Sequence, residues 1–201
     1  MPLKAPKNES SFELVPAGNH VARVYRIIHI GTIPETYMGE EKMMNKVMIG
    51  FELLNKKKVF KEERGEEPYV ISREYTLSMN EKSNLCKLIE GMLGMVFHGD
   101  EGEGFDVFSL IGQECLVNVV HKKSAKGNDY ANITGASPIP EGMNVPKGYN
   151  PVQKLTFGEG EWKEEVFTSL PEFIQKKIAS SKEFRKLRGV ETGVDTGEIP
   201  F

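Results

Sequence analysis

Aromatic and basic side chains recur together along this 201-residue chain. They fall on β-prone stretches or in the loops between them, and they are Arg23, Tyr25, His29, Tyr37, Lys42, Arg73, Tyr75, Lys122, Lys123, Lys126 and Tyr130. A flat ring can stack on an unpaired nucleobase, and a nearby cation can contact the phosphate beside it. The residue types therefore predict a surface for single-stranded nucleic acid. Each tyrosine fits a buried wall position equally well, and a triple-lysine hairpin fits an ordinary solvated loop.

Patterns that would indicate catalysis or a bound metal are weak. The glycine-rich segment 99–104 carries three acids, which would repel a phosphate rather than cradle one. The four histidines show no metal-ligand spacing. Cys86 and Cys115 have no neighbouring histidine and fit buried thiols in a reducing compartment. We therefore expect no enzyme, no cofactor and no metal site.

The elements that must position the candidate side chains are mainly strands, predicted over residues 20–30, 46–54, 69–77, 114–121 and 130–136. In the first strand, alternation places Ala22, Val24, Ile28 and Ile30 on one face, with Arg23, Tyr25 and His29 on the other. In the second strand, the inward residues are Val47, Ile49, Phe51 and Leu53. Segments 34–45 and 55–67 are predicted loops, and 122–128 is a predicted hairpin turn.

A helix is predicted between the third and fourth strands. Leu85, Leu88, Ile89 and Met92 repeat at helical spacing, Ser78 or Asn80 could cap the start, and glycines close the end. Residues 105–112 predict a short helical turn. Five strands with one helix at this point is the order of an OB-fold, a small Greek-key barrel. An SH3-like barrel and a β-sandwich explain the helix less well.

The chain divides into five predicted segments. Residues 1–15 are a flexible N-terminal arm, and 16–140 form the mainly β OB-fold barrel. Residues 141–160 are a Pro/Gly linker, 161–188 an amphipathic helical extension, and 189–201 a flexible acidic tip. The basic residues of 171–188 fit a solvated helix face, a phosphate contact, or an internal partner for the tip.

The net charge of the chain neither requires nor excludes nucleic-acid binding. The net charge is −3, and residues 16–140 hold 15 basic and 17 acidic residues, a balance of −2. A nucleic-acid site must therefore be a local patch. No apolar run is long enough for a membrane span, so we expect a cytoplasmic protein without a membrane partner.

The last residues carry a second kind of chemistry. Two acidic residues, Asp195 and Glu198, come before three apolar ones, Ile199, Pro200 and Phe201, of which the last carries an aromatic ring. Glycines around them predict a flexible peptide that orders only when bound. An ordinary frayed terminus is the alternative interpretation.

This tip resembles the C-terminal peptide of bacterial single-stranded DNA-binding proteins (SSBs). The stretches 15–24 and 108–119, with Asn128-Asp-Tyr-Ala-Asn-Ile, resemble bacteriophage and prophage SSBs of the OB-fold kind. The resemblance implies that the terminal Phe enters an apolar pocket on a replication or repair enzyme. The acidic run is sparser than in the bacterial peptide, and the helical extension has no counterpart there.

We therefore expect a sequence-non-specific protein of DNA replication, recombination or repair. It would coat single-stranded DNA and recruit a helicase, primase, polymerase or nuclease through the tip, in the bacterial host cytoplasm if phage-encoded. A homo-oligomer fits this family. The alternatives are an OB-fold adaptor that binds only proteins, a metal-dependent nucleic-acid enzyme, and a virion structural protein.

Overall fold

The computed structural model describes residues 13–37, 39–158 and 160–189 of the chain. The fold is mainly β, with a few short helices. The strands are β1 Gly18–Tyr37, β2 Glu40–Lys61, β3 Gly65–Thr76, β4 Glu114–Lys123, β5 Asp129–Ser137 and β6 Gln153–Leu155. The helices are α1 Asn84–Leu93, α2 Glu164–Ser169, α3 Glu172–Ala179 and α4 Lys182–Leu187, with 3-10 turns at Glu62–Arg64 and Val107–Leu110.

Five antiparallel strands form a curled half-barrel in the order β3-β2-β1-β4-β5. The Arg73 guanidinium donates to the Ile133 carbonyl, which links β3 to β5 across the open side. β1 is the shared strand of the molecule. Its first part pairs with β4 up to Arg23, and residues 26–28 pair with the short parallel strand β6. The long β1–β2 hairpin therefore serves two separate packing partners.

The inner core fills the concave side of this sheet. Val47, Ile49, Phe51 and Leu53 all lie in it, as the alternation of β2 predicts. Helix α1 adds Leu85, Leu88, Ile89 and Met92, the residues predicted from helical spacing. The helix begins later than expected, because the Ser83 side chain accepts from the Cys86 amide and caps it. It ends at Gly94, whose φ of 66° suits a left-handed cap.

The predicted faces of β1 are wrong beyond Val24. Register shifts between Val24 and Arg26 and between His29 and Gly31 mark bulges. A bulge adds one residue to one strand and reverses the in-out order that follows it. As a result, Ile28 and Ile30 lie in a second cluster, on the opposite side from Ala22 and Val24.

That second cluster is an outer core between the sheet and the C-terminal helices. Ile28, Ile30 and Met48 pack there against a set of side chains from β6 and α2–α3, namely Leu155, Val166, Leu170, Ile174 and Ile178. Burial of one such side chain stabilises a fold by about 1.5–3 kcal/mol. The extension is therefore packed onto the half-barrel, and β6 forms inside the segment predicted as a linker.

Two predicted loops are in fact strand. Residues 34–37 and 40–45 extend the β1–β2 hairpin, while 55–61 and 65–67 extend the β2–β3 hairpin. Side-chain alternation is a poor guide here because both faces of these arms are largely exposed. Backbone pairing, which needs no particular side chain, holds them together. No helix in the described ranges has the length and apolar character to cross a membrane.

Candidate nucleic-acid interface

The β4–β5 hairpin carries four exposed residues of the predicted set. Lys122 pairs across the ladder with Tyr130, and Lys123 pairs with Asp129. Gly127 turns the chain at a φ of 81°, and the Ser124 carbonyl accepts from the Gly127 amide at 2.9 Å. Lys122, Lys123 and Lys126 are exposed, and Tyr130 is 42% exposed. Within the described ranges these three lysines form no ion pair, so their charges face solvent.

The predicted β1 residues are instead engaged by residues 148–157, a segment that we call the strap. The Arg23 guanidinium donates to the Asn150 carbonyl at 2.6 Å and to the Glu52 carboxylate at 2.6 Å. Further along β1, Arg26 donates to the Gln153 side chain at 2.6 Å. The cations that would meet a phosphate are thus already paired with protein groups.

Glu52 is the centre of this contact. Its side chain is fully buried, on the outer face of β2. Besides Arg23, the carboxylate accepts from the Asn150 amide and from the Asn150 side chain, both at 2.8 Å. A buried carboxylate needs partners of this kind to offset the loss of water. The strap is therefore fixed to β1 and β2 by a charge network.

Tyr25 and His29 are also covered. Tyr25 is 5% exposed, its ring edge would meet a Cβ on Gly50 at 3.2 Å, and burial raises its pKa. His29 Nε2 lies 2.7 Å from the Asn45 side chain, and its ring packs edge-on against Phe157 at 5.2 Å. His29 no longer shares a face with Arg23, because of the bulge at Tyr25. These two rings cannot stack on bases in this arrangement.

The predicted β3 residues face the inner core. Tyr75 is 3% exposed and belongs to the core with Tyr69. Burial raises the pKa of Tyr75 to about 12, although the neighbouring Arg73 acts to lower it. Arg73 itself is half-buried and bonded to β5. Arg73 and Tyr75 do share a face with Tyr69, as expected, but that face points inward.

The remaining predicted loop residues lie far from the β4–β5 hairpin. Tyr37 pairs with Glu40 at the β1–β2 turn, and its side chain lies outside the described part of the structure. Lys42 forms an ion pair with Glu40 at 3.1 Å. β4 pairs only with the first part of β1, so its hairpin lies at the opposite end of the sheet. The structure therefore separates the expected surface into distinct places.

A second basic hairpin is not among the residues predicted from sequence. The β2–β3 arm carries exposed Phe60, at 50%, together with Lys56, Lys57, Lys58 and Lys61. The run Lys-Lys-Lys-Val-Phe-Lys is the signal that could have identified it. Side-chain alternation does not reveal the full extent of β2, and the same run therefore fits the charged loop expected there.

The two basic hairpins lie at the same end of the half-barrel. Residues 13–15 bridge them, since Glu13 pairs with Lys58 and the Val15 carbonyl lies 2.9 Å from the His121 ring. We call residues 55–67 and 122–130 the hairpin end. It holds eight basic and five acidic residues, a local balance of +3. Positive charge is therefore concentrated at this end, although residues 16–140 as a whole carry a balance of −2.

The expected partner-binding residues Asp195, Glu198, Ile199, Pro200 and Phe201 lie outside the described residues. In the described ranges, no group of three or more His, Cys, Asp or Glu side chains is placed to hold a metal ion. Both cysteines are buried and free, and burial raises the pKa of Cys115 to about 12. The sequence as a whole matches no family model and no curated protein.

Proposed function

We propose that this protein is an OB-fold single-stranded DNA-binding protein that coats DNA without sequence preference. The observation that carries the proposal is the hairpin end. Unpaired lysines on β4–β5 lie beside exposed Tyr130, and a second lysine-rich hairpin with exposed Phe60 lies at the same end. Cations together with accessible rings are what single strands require of a protein surface.

The fold supports this assignment. β1 pairs with both β2 and β4, and α1 lies between β3 and β4 in the chain. That connectivity supports the proposal of an OB-fold, and OB-folds are a common scaffold for oligonucleotides. The resemblance of the sequence to phage SSBs points to the same function, and to the cytoplasm of a bacterial host.

The proposed DNA surface differs from the one expected from sequence. The strap is hydrogen-bonded to Arg23, Arg26 and His29. We therefore propose that the DNA strand lies across the hairpin end instead. Lys122, Lys123 and Lys126 supply phosphate contacts, and Tyr130 supplies a stacking ring. Lysines on the β2–β3 arm extend the same surface. In this role the protein is a binding protein, not an enzyme.

The test is fluorescence anisotropy of a labelled ~30-mer oligo-dT, compared with a duplex of equal length. We expect tight binding to the single strand at low salt, weaker binding to the duplex, and a steep loss of affinity as salt rises. The absence of oligo-dT binding at low salt would contradict the proposal. It would favour the protein-only adaptor, the alternative that the near-neutral charge of the barrel supports.

We also propose that the segment from Asp195 to Phe201 recruits a replication or recombination enzyme. Apolar Ile199, Pro200 and Phe201 would dock, while the acids set the orientation and speed of the encounter. Deletion of residues 195–201 should abolish partner capture and leave oligo-dT affinity unchanged. Loss of both activities together would contradict this division of labour.

A further inference from the structure

A cleft of about 680 Å³ opens between the start of α1 and the loop that follows this helix. It lies at the end of β3, because Leu77 comes directly after the Lys46–Thr76 pair. The hairpin end is at the opposite end of the sheet. The cleft is therefore separate from the proposed DNA surface. Its volume is within the range of roughly 300–1,000 Å³ that binding pockets occupy.

The lining of this cleft combines apolar walls with an acidic rim. The apolar side chains are Leu77, Met79, Cys86, Phe97, Phe105 and Val107. The charged side chains are Glu81, Asp100 and Glu103, and the lining contains no lysine, arginine or histidine. All three acids are exposed, and none forms an ion pair within the described ranges. We call this feature the acidic cleft.

Both walls of the acidic cleft are fixed by hydrogen bonds. On one side, the Ser83 hydroxyl donates to the Ser78 carbonyl at 2.6 Å. On the other side, the Phe97 amide donates to the Glu90 carboxylate at 2.9 Å, and the Phe97 ring packs edge-on against Phe105. A cleft whose walls are already ordered loses little entropy when a ligand enters. This favours a binding site over a gap between mobile loops.

A smaller cavity of about 190 Å³ lies next to the cleft. Leu77, Phe105 and Val107 line both, and the smaller cavity reaches Phe108 and His29. A cleft with apolar walls beside a smaller, mainly apolar cavity suits two successive anchors on an extended chain better than one compact molecule. The unpaired acids beside them favour cations on that chain and would repel a nucleic-acid backbone.

From this geometry we propose that the acidic cleft docks an extended segment of a partner protein. The segment carries apolar side chains flanked by lysine or arginine. Apolar anchors would fill the two cavities, and the cations would pair with Asp100, Glu103 and Glu81. A single chain could then hold DNA at its hairpin end and a basic peptide at the other end.

The test measures binding of short fluorescein-labelled peptides to the full chain by anisotropy. One peptide carries Leu pairs separated by Lys and Ser, and its counterpart carries Glu in place of Lys. We expect the Lys peptide to bind and the Glu peptide not to bind. A variant with Asp100→Asn and Glu103→Gln should weaken the Lys peptide by about tenfold, equivalent to about 1.4 kcal/mol. Leu77→Ser should weaken it as well.

The matched control is Glu62→Gln with Glu63→Gln, which removes the same charge at the hairpin end. Equal weakening by this control would mean general surface attraction and would overturn the proposal. Binding of the apolar dye ANS in the cleft without peptide binding would also overturn it, in favour of a small ligand. Formation of a dimer that Leu77→Ser dissociates would also overturn the proposal, because the occupant of the cleft would then be a second copy of this chain. Oligo-dT affinity should stay unchanged in the cleft variants, so failure here is distinguishable from failure of the DNA-binding proposal.

Discussion

At the scale of single residues, Gly31 decides whether the C-terminal helices can reach the sheet. Its φ is 92°, and a Cβ built there would lie 2.7 Å from both the Glu183 carboxylate and the Ser181 Cβ. Ser181 is fully buried and caps α4 by accepting from the Phe184 amide. Only glycine lets α4 approach the strand this closely.

We predict that Gly31→Ala destabilises the fold more than Gly112→Ala. Both positions have positive φ, which costs a non-glycine residue about 1–2 kcal/mol. Gly112 has open space around it, whereas the clash at Gly31 adds about 1–3 kcal/mol of overpacking. Urea unfolding, followed by the fluorescence of the single tryptophan, Trp162, measures both. Equal destabilisation would show that the packing of α4 does not depend on Gly31.

A substitution at Arg23 can distinguish a structural role of this residue from a DNA-binding role. We predict that Arg23→Met lowers the free energy of unfolding by about 3–5 kcal/mol, because the buried Glu52 carboxylate loses its cation. The double variant Arg23→Met with Glu52→Met should be more stable than this single variant, since both charges are gone. Urea unfolding gives both values.

In the folded Arg23→Met protein, oligo-dT affinity should change by less than about twofold, a few tenths of a kcal/mol. A large loss of affinity with normal stability would return the DNA surface to the outer face of β1, as the residue types of that strand indicate.

At the scale of elements, the docking of α4 depends on an ionised carboxylate. Glu183 accepts from the Thr32 amide and from the Thr32 hydroxyl, each at 2.6 Å. Burial acts to raise the pKa of Glu183, but these hydrogen bonds and the nearby His29 outweigh it, and the net pKa is lowered. A lowered pKa in the folded state stabilises the fold above the ordinary glutamate value and loses that effect as the pH falls.

We therefore predict that wild type is more stable than Glu183→Gln at neutral pH, and that this difference shrinks as the pH falls below 4.5, the ordinary value of this group. The measurement is the urea midpoint by circular dichroism, taken for both proteins across that pH range. Tryptophan emission is unsuitable here, because Glu164 accepts from Trp162 and its own pKa is lowered by that hydrogen bond. A difference that stays constant with pH would contradict the role of the Glu183 charge.

The elements differ in how well the sequence predicts which of their faces are buried. The inward residues of β2 and the core face of α1 follow from periodicity, because each element buries one side against a single core. Periodicity does not predict the faces of β1, because Ile27 and Ile28 are both fully buried but lie in different cores. No alternating pattern describes a strand with bulges that is covered on both sides.

At the scale of the whole molecule, two cores share one long hairpin. The inner core closes the half-barrel, and the outer core holds the C-terminal helices on the back of β1 and β2. That arrangement removes the outer face of β1 from solvent, and it leaves the hairpin end exposed. The sequence predicts which types of residue form the candidate site, but it does not predict where on the surface they lie. Whether Arg23 faces solvent depends on the strap, residues 148–157, which are distant in the chain.

The proposed binding of single-stranded DNA at the hairpin end can be tested with two sets of charge variants. Oligo-dT affinity is measured across a salt series for wild type and for the variant with Lys122, Lys123 and Lys126 changed to Gln. The matched control changes Lys182, Arg185 and Lys186 to Gln, three exposed cations of α4 that lie away from the hairpin end.

We predict that the hairpin variant binds more weakly and that the slope of log affinity against log salt falls by about 0.7 for each phosphate that the variant no longer neutralises, or about 2 in all. The α4 control should keep the wild-type slope. An unchanged slope in the hairpin variant, or an equal loss in the control, would contradict the proposed DNA surface.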